Sequence, residues 1–114
     1  MLNLLRFRQT ADYSARPELA PAEPIAGTEA YERYMAHTLP SLRKSGGDLV
    51  FIAAGGPVLI GPGEERWDRA LLVRQKSTGA FIAFAMSQAY LAGIGHRAAA
   101  LLDPRLLPLV KLPR

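Results

Sequence analysis

A chain of 114 residues has the length of one domain, and its 49% hydrophobic and 21% charged residues exclude disorder throughout. The absence of cysteine rules out disulfides and thiolate-bound metal. The net charge of +4 comes from eleven arginines and three lysines scattered without a block, unlike the gathered basic face of a nucleic-acid binder. No apolar run approaches the length of a membrane span, and Met1–Arg6 is too short for a signal peptide. Neither nucleic acid nor membrane is therefore expected as a partner, and the expected location is cytoplasmic.

Residues 2–7 are apolar on both alternating faces, the pattern of an interior strand covered on two sides, with Asn3 the polar exception. Asn3 either bonds nearby backbone at the end of the strand or points into a cleft. Residues 9–27 contain Pro17, Pro21 and Pro24 and show no period. A connection of that length in a small domain reads as an ordered flap, which Tyr13, Leu19 and Ile25 would pin down, a neighbouring subunit being one seat for them.

The first helix is expected to start after Gly27 with Thr28 as its cap, and its apolar stripe is Tyr31, Met35, Thr38 and Leu42, with Tyr34 and Leu39 alongside. Pro40 predicts a kink and Gly46-Gly47 the stop. From Asp48 the chain reads as a long β-hairpin. Leu49, Phe51 and Ala53 alternate with Val50, Ile52 and Ala54, Gly55-Gly56-Pro57 interrupts the run before Val58–Ile60, and Gly61-Pro62-Gly63 turns it back into a strand from Trp67 to Arg74. Proline within the run argues for a sheet edge or a bulge. Ser77 can cap a second helix with Phe81, Phe84 and Ala85 inside, and Ser87 offers a fresh cap for a third, from Gln88 to about Leu102. Asp103-Pro104 is expected to end that helix, and Arg105–Val110, with Pro108 inside, to form an edge strand.

The order is β, α, β, β, α, β with the second helical part split: an α+β, ferredoxin-like βαββαβ domain over residues 1–114 with a four-stranded antiparallel sheet. Such a sheet has helices on one face and leaves Leu, Val, Ile and Phe bare on the other, so a homodimer that packs the bare faces together is expected.

Tyr31-x-x-Tyr34, Gly46-Gly47, Gly55-Gly56, Leu59-x-Gly61, Trp67, Ser77 with Phe81 and Phe84, Ser87-x-x-Tyr90 and Arg97 together resemble the small bacterial domains of unknown function in the dimeric α/β-barrel superfamily. The likeness covers roughly residues 28–110, and the 9–27 insertion departs from shorter members. It implies a protomer that pairs into a barrel, with a cleft between the sheet and its helices. Relatives in that superfamily include cofactor-free monooxygenases, muconolactone isomerase-like enzymes and haem-binding proteins similar to chlorite dismutase, and fold alone does not choose among them.

His96 shares a helical face with Ala89, Ala92, Ala99 and Ala100, a shallow apolar trough that would favour a neutral imidazole, and it is the candidate catalytic base, or hydrogen-bond donor to a small ligand. The opposing reading is a packed or surface histidine. Tyr31, Trp67, Arg97 and Asn3 are the candidate ligand-binding residues. Each has a plainer role as core, barrel mouth, surface charge or strand end, and Arg6 and Arg74 on strands are weaker candidates for a ligand carboxylate. His37 shares its face with Arg33, Ser41 and Lys44 and reads as surface. No carboxylate has ligand spacing to either histidine, so no metal is expected. His96 could serve haem as an axial ligand, but nothing else in the chain supports haem, and no cofactor is expected.

No glycine-rich loop leads into a helix, which excludes a phosphate-binding fingerprint. Although RNA-recognition motifs share this strand order, the run Trp67–Arg74 is aliphatic where they need stacking aromatics. Two functions remain: a cofactor-free enzyme, of oxygenase or isomerase type, acting on a small, partly apolar molecule, acids included, or a non-catalytic small-ligand-binding or assembly module.

Overall fold

Hydrogen bonding between strands distant in sequence organises the chain: β1 (Leu2–Phe7) lies between β3 (Arg66–Arg74) and β4 (Leu101–Leu107), and β2 (Asp48–Pro57) flanks β3 on the other side. Every adjacent pair is antiparallel, and the order β2-β3-β1-β4 is the one a split βαβ arrangement requires. Helices α1 (Gly27–Lys44), α2 (Thr78–Ala85) and α3 (Gln88–Ala100) complete an α+β fold. This computed structural model describes residues 1–113.

The stripe predicted for α1 is its buried face: Ala30, Tyr31, Tyr34, Thr38 and Leu42. The helix runs through Pro40, whose ring and missing donor lie on the exposed side. It stops at Gly46, whose φ of 95° needs a residue without a side chain, and the Gly47 amide donates back to the Leu42 carbonyl at 3.0 Å. The start differs from expectation. Thr28 is not the cap; Ala26 holds that position without a side-chain bond, and the Gly27 amide donates to the Arg8 carbonyl at 3.2 Å. Backbone from the flap's first residues supplies what a capping side chain would otherwise supply.

Three further boundaries depart from the sequence reading. Instead of breaking at Gly55-Gly56, β2 runs unbroken to Pro57, and its irregularity is a bulge between Leu49 and Phe51. Leu49 and Phe51 therefore lie on opposite faces, where plain alternation would put them together. Val58–Ile60 belongs to the turn rather than to a strand. The third strand begins one residue early, at Arg66, and α3 passes directly into β4 at Leu101, so Asp103-Pro104 sits inside a strand instead of ending a helix. Proline is tolerated there because β4 is a sheet edge and one side of it needs no donor.

The two serine caps behave as expected. Ser77 accepts from the Ala80 amide at 3.0 Å and Ser87 from the Tyr90 amide at 3.2 Å, and α2 and α3 meet at 74°. Among the described residues no single helix is long and apolar enough to cross a membrane.

The flap folds back on its own chain, on the helical side. The Ala11 amide donates to the Ile25 carbonyl and the Asp12 amide to the Ala99 carbonyl, both at 2.9 Å, and Tyr13, Leu19 and Ile25 join the core made by Leu5, Tyr31, Leu71 and Ala100. The other face of the sheet receives nothing from the flap. Across it the register aligns Phe51, Leu72, Leu2 and Leu107 in one apolar row, with Phe51 56% and Leu107 53% exposed.

Gly27 is enclosed by the carbonyl oxygens of Arg8 and Ala100, the latter 2.8 Å from where a β-carbon would sit. Alanine in a helix normally adds stability, but here two backbone atoms must move. Gly27→Ala should cost about 1–3 kcal/mol by urea denaturation. Gly63→Ala, whose β-carbon meets nothing within 4 Å, should be neutral within about 0.5 kcal/mol.

Candidate functional site

Between the covered face of the sheet and the helices lies a cavity of about 170 Å³. Asn3, Leu49 and Leu71 form its floor, and Tyr31, Tyr34 and Thr38 of α1 one wall. Phe81, Phe84 and Ala85 of α2 roof it, and Tyr90 and Arg97 of α3 close the far side. The local sequence explains these placements. Tyr90 and Arg97, seven apart, fall on one face of α3, as Tyr31 and Thr38 do on α1. The bulge in β2 turns Leu49 inward and Phe51 outward.

Aromatic rings in edge and tilted contact line the space. Phe7 meets Tyr31 at 5.5 Å between centroids, Tyr31 meets Tyr34 at 5.3 Å, Tyr34 meets Tyr90 at 6.2 Å and Phe84 meets Tyr90 at 5.0 Å. The Tyr34 hydroxyl donates to the Tyr90 hydroxyl at 3.3 Å. The Tyr31 hydroxyl has no hydrogen-bond partner among the described residues, although the residue is only 2% exposed. Burial pushes Tyr31 up to about 12 despite the nearby Arg97 and Arg69 charges. Tyr34 is pushed higher, by burial and by its bond to Tyr90. At neutral pH both are therefore O–H donors and neither is a base.

Two more polar atoms are buried here without a partner, Thr38 Oγ1 and Gln75 Oε1. Thr38 showed in the sequence as the one polar residue in an apolar stripe, whereas Gln75, just past β3, carried no signal. Arg97 is the one charged side chain on the described wall, which has no aspartate, glutamate or histidine.

Of the residues singled out from sequence, Asn3, Tyr31 and Arg97 thus come together, while His96 and Trp67 do not line this cavity. His96 faces the flap: its Nδ1 lies 2.7 Å from the Tyr13 hydroxyl, with the rings edge to face. Burial lowers the His96 pKa, as do the Arg33 and His37 charges, and burial raises that of Tyr13. Both shifts keep the pair neutral, and one hydrogen bond joins the Tyr13 hydroxyl to Nδ1. Trp67 lies beneath two guanidinium groups, Arg6 at 5.6 Å and Arg105 at 5.3 Å, and Arg6 also donates to the Arg66 carbonyl. His37, read as surface, is exposed and bonds the Ala89 carbonyl at 2.6 Å, tying α1 to α3. Among the described residues no three histidines, cysteines or carboxylates are placed to hold a metal ion.

Two outcomes follow. Replacing a buried unpaired hydroxyl by a methyl of similar shape removes a desolvation cost, so Thr38→Val should stabilise the free protein by about 1 kcal/mol in chemical denaturation. For His96 the folded pKa lies below the unfolded value of 6.5, so as pH falls the unfolded chain takes up the proton first. The stability that depends on neutral His96 is complete above the unfolded pKa and is lost as pH falls through the folded one. Denaturation midpoints should begin to drop as pH falls toward 6.5 and go on dropping below it, and His96→Gln should flatten that drop. An NMR titration should place the His96 midpoint below 6.5 and Arg33→Gln should raise it.

No protein-family model matches the chain, and no curated protein sequence matches it. Two solved structures do. A protein of unknown function from Rhodopseudomonas palustris, RPA0582, solved as a structural genomics target, is 32% identical with a TM-score of 0.83, over 99% of this chain and 81% of that one. The methylated form of RPA0582 is 32% identical with a TM-score of 0.86, over 98% of this chain and 78% of that one. With that identity over nearly its whole length, the chain belongs to the same family of small α+β proteins as RPA0582 of Rhodopseudomonas palustris.

Proposed function

We propose that the chain is a homodimeric, ferredoxin-like α/β-barrel protein that binds a small, partly apolar molecule between its sheet and its helices, without a cofactor. The observation that carries this reading is the cavity on whose wall Thr38 Oγ1 and Gln75 Oε1 are buried without partners. Buried polar atoms are ordinarily satisfied, and groups left open around an apolar space suit a ligand that satisfies them.

The chemistry on the wall favours binding over proton abstraction. Tyrosines held neutral and an arginine donate hydrogen bonds and stabilise negative charge, but none of them removes a proton at neutral pH. His96, the base expected from sequence, is engaged by Tyr13 outside the cavity. An enzyme of this design would act by holding a developing oxyanion against Arg97 and Tyr31 while the substrate supplied its own reactivity.

The bare face of the sheet supports the pairing. The row Phe51, Leu72, Leu2 and Leu107 crosses all four strands, and its two outer members are more than half exposed. The occupant it suits is a second copy of the same face, because a flat apolar row is complementary to itself under two-fold symmetry.

Sedimentation at micromolar concentration should give twice the 12.4 kDa chain mass, and Phe51→Lys should give the single mass with little change in protomer folding. A monomeric wild type overturns the pairing. In ligand-observed NMR with single-ring fragments, Ala85→Phe, which fills the roof of the cavity, should abolish saturation transfer seen with the wild type. Equal transfer in both overturns the cavity as the site.

A further inference from the structure

We infer that the ligand is a monocarboxylate with a single ring or a short branched body, its carboxylate on Arg97 and a hydrogen-bonding group at its opposite end on Thr38 and Gln75. This deepens the binding reading above and rests on it.

The charge argument comes first. The chain's ion pairs join Arg16 to Glu18, Arg43 to Asp48, Arg66 to Asp68, Arg69 to Glu32 and Arg105 to Asp103. Arg97 is half-buried on the cavity wall, and among the described residues no carboxylate pairs with it. A guanidinium facing apolar walls gains most from an anion that also accepts its hydrogen bonds. The planar fork of one arginine matches one carboxylate, whereas a dianionic phosphate would call for further side-chain cations, and Arg97 is the one charged side chain among the described lining residues. The Tyr31 hydroxyl, on a residue of the same wall, is a second donor at that end.

Orientation follows from the antiparallel course of α1 and α3. Gly27, at the start of α1, meets the Ala100 carbonyl at the end of α3, and His37 meets the Ala89 carbonyl near its start. Arg97 therefore stands at the Tyr31 end of the cavity, and Thr38, seven residues and roughly 10 Å along α1, stands toward the other. There Gln75 Oε1 is a buried acceptor with no donor, and Thr38 Oγ1 is unpaired on the same cavity wall. The volume sets the size: a cavity of roughly 150 Å³ takes one benzene ring, and this one is about 170 Å³.

The test is isothermal titration of the full chain with three matched probes: para-hydroxybenzoate, its neutral isostere para-hydroxybenzamide, and benzoate. The wild type should bind para-hydroxybenzoate about tenfold or more tightly than para-hydroxybenzamide, and several-fold more tightly than benzoate. Arg97→Met should erase the preference over the amide while keeping amide affinity within about twofold, which also shows the variant folded. Arg97→Lys, which keeps the charge and loses the fork, should fall between. In the wild type, the Arg97 Nε–H resonance should move with the acid and stay in place with the amide, a readout that needs no variant. Equal binding of acid and amide, or a preference that survives Arg97→Met, overturns the carboxylate while leaving the cavity as the site. Failure of all three probes to bind the wild type overturns the binding reading and the carboxylate with it.

Discussion

A four-stranded sheet has two faces, and this chain has helices for only one of them. That imbalance governs the rest of the structure. On the covered side, α1 and α3 lie antiparallel and pack through Gly27 and Gly93, where the Ala100 carbonyl and the His37 ring occupy the space a β-carbon would need, while Gly95 makes room for Leu19 and Arg16 of the flap. On the bare side, a row of large apolar residues crosses all four strands. The hydrophobic effect disfavours leaving such a row in water, and the proline-rich flap packs on the helical side instead.

The same imbalance makes room for the cavity. The helix over the far half of the sheet is broken at Ser87, and the short α2 spans the gap with Phe81 and Phe84 in place of a continuous helix. Aromatic rings cannot close that volume completely, because each is held edge-on by the next. The void left over is bordered by Tyr31 and Tyr34, which burial keeps as donors, and by the Arg97 guanidinium. A wall of donors without a base is suited to holding negative charge and poorly suited to creating it.

His96 illustrates how a correct local reading leads to the wrong neighbourhood. Its small-residue face on α3 is real, and burial does favour the neutral imidazole. What fills the trough is Tyr13, delivered from a segment more than eighty residues earlier in the chain. The pair serves to seat the flap on α3, beside the backbone bond from Asp12 to Ala99. Trp67 is a parallel case: an aromatic at a strand start reads as a pocket wall, but Arg6 and Arg105, from strands that meet only in the folded sheet, stack over it.

Local chemistry alone determined much of this protein. The helical stripe of α1, the serine caps at 77 and 87, the stop at Gly46-Gly47 and the order of strands and helices all depend on residues within a few positions of each other, so they are written in spacing and composition. Asn3, Tyr31 and Arg97, singled out from sequence as polar or aromatic groups on regular elements, do line the cavity. Tertiary structure decided the rest. The bulge that separates Leu49 from Phe51, the strand that absorbs Asp103-Pro104, the backbone start of α1 and the orphaned Gln75 all depend on which strands become neighbours. Register between distant segments is set by packing summed over the whole sheet, and no single stretch of sequence carries that sum.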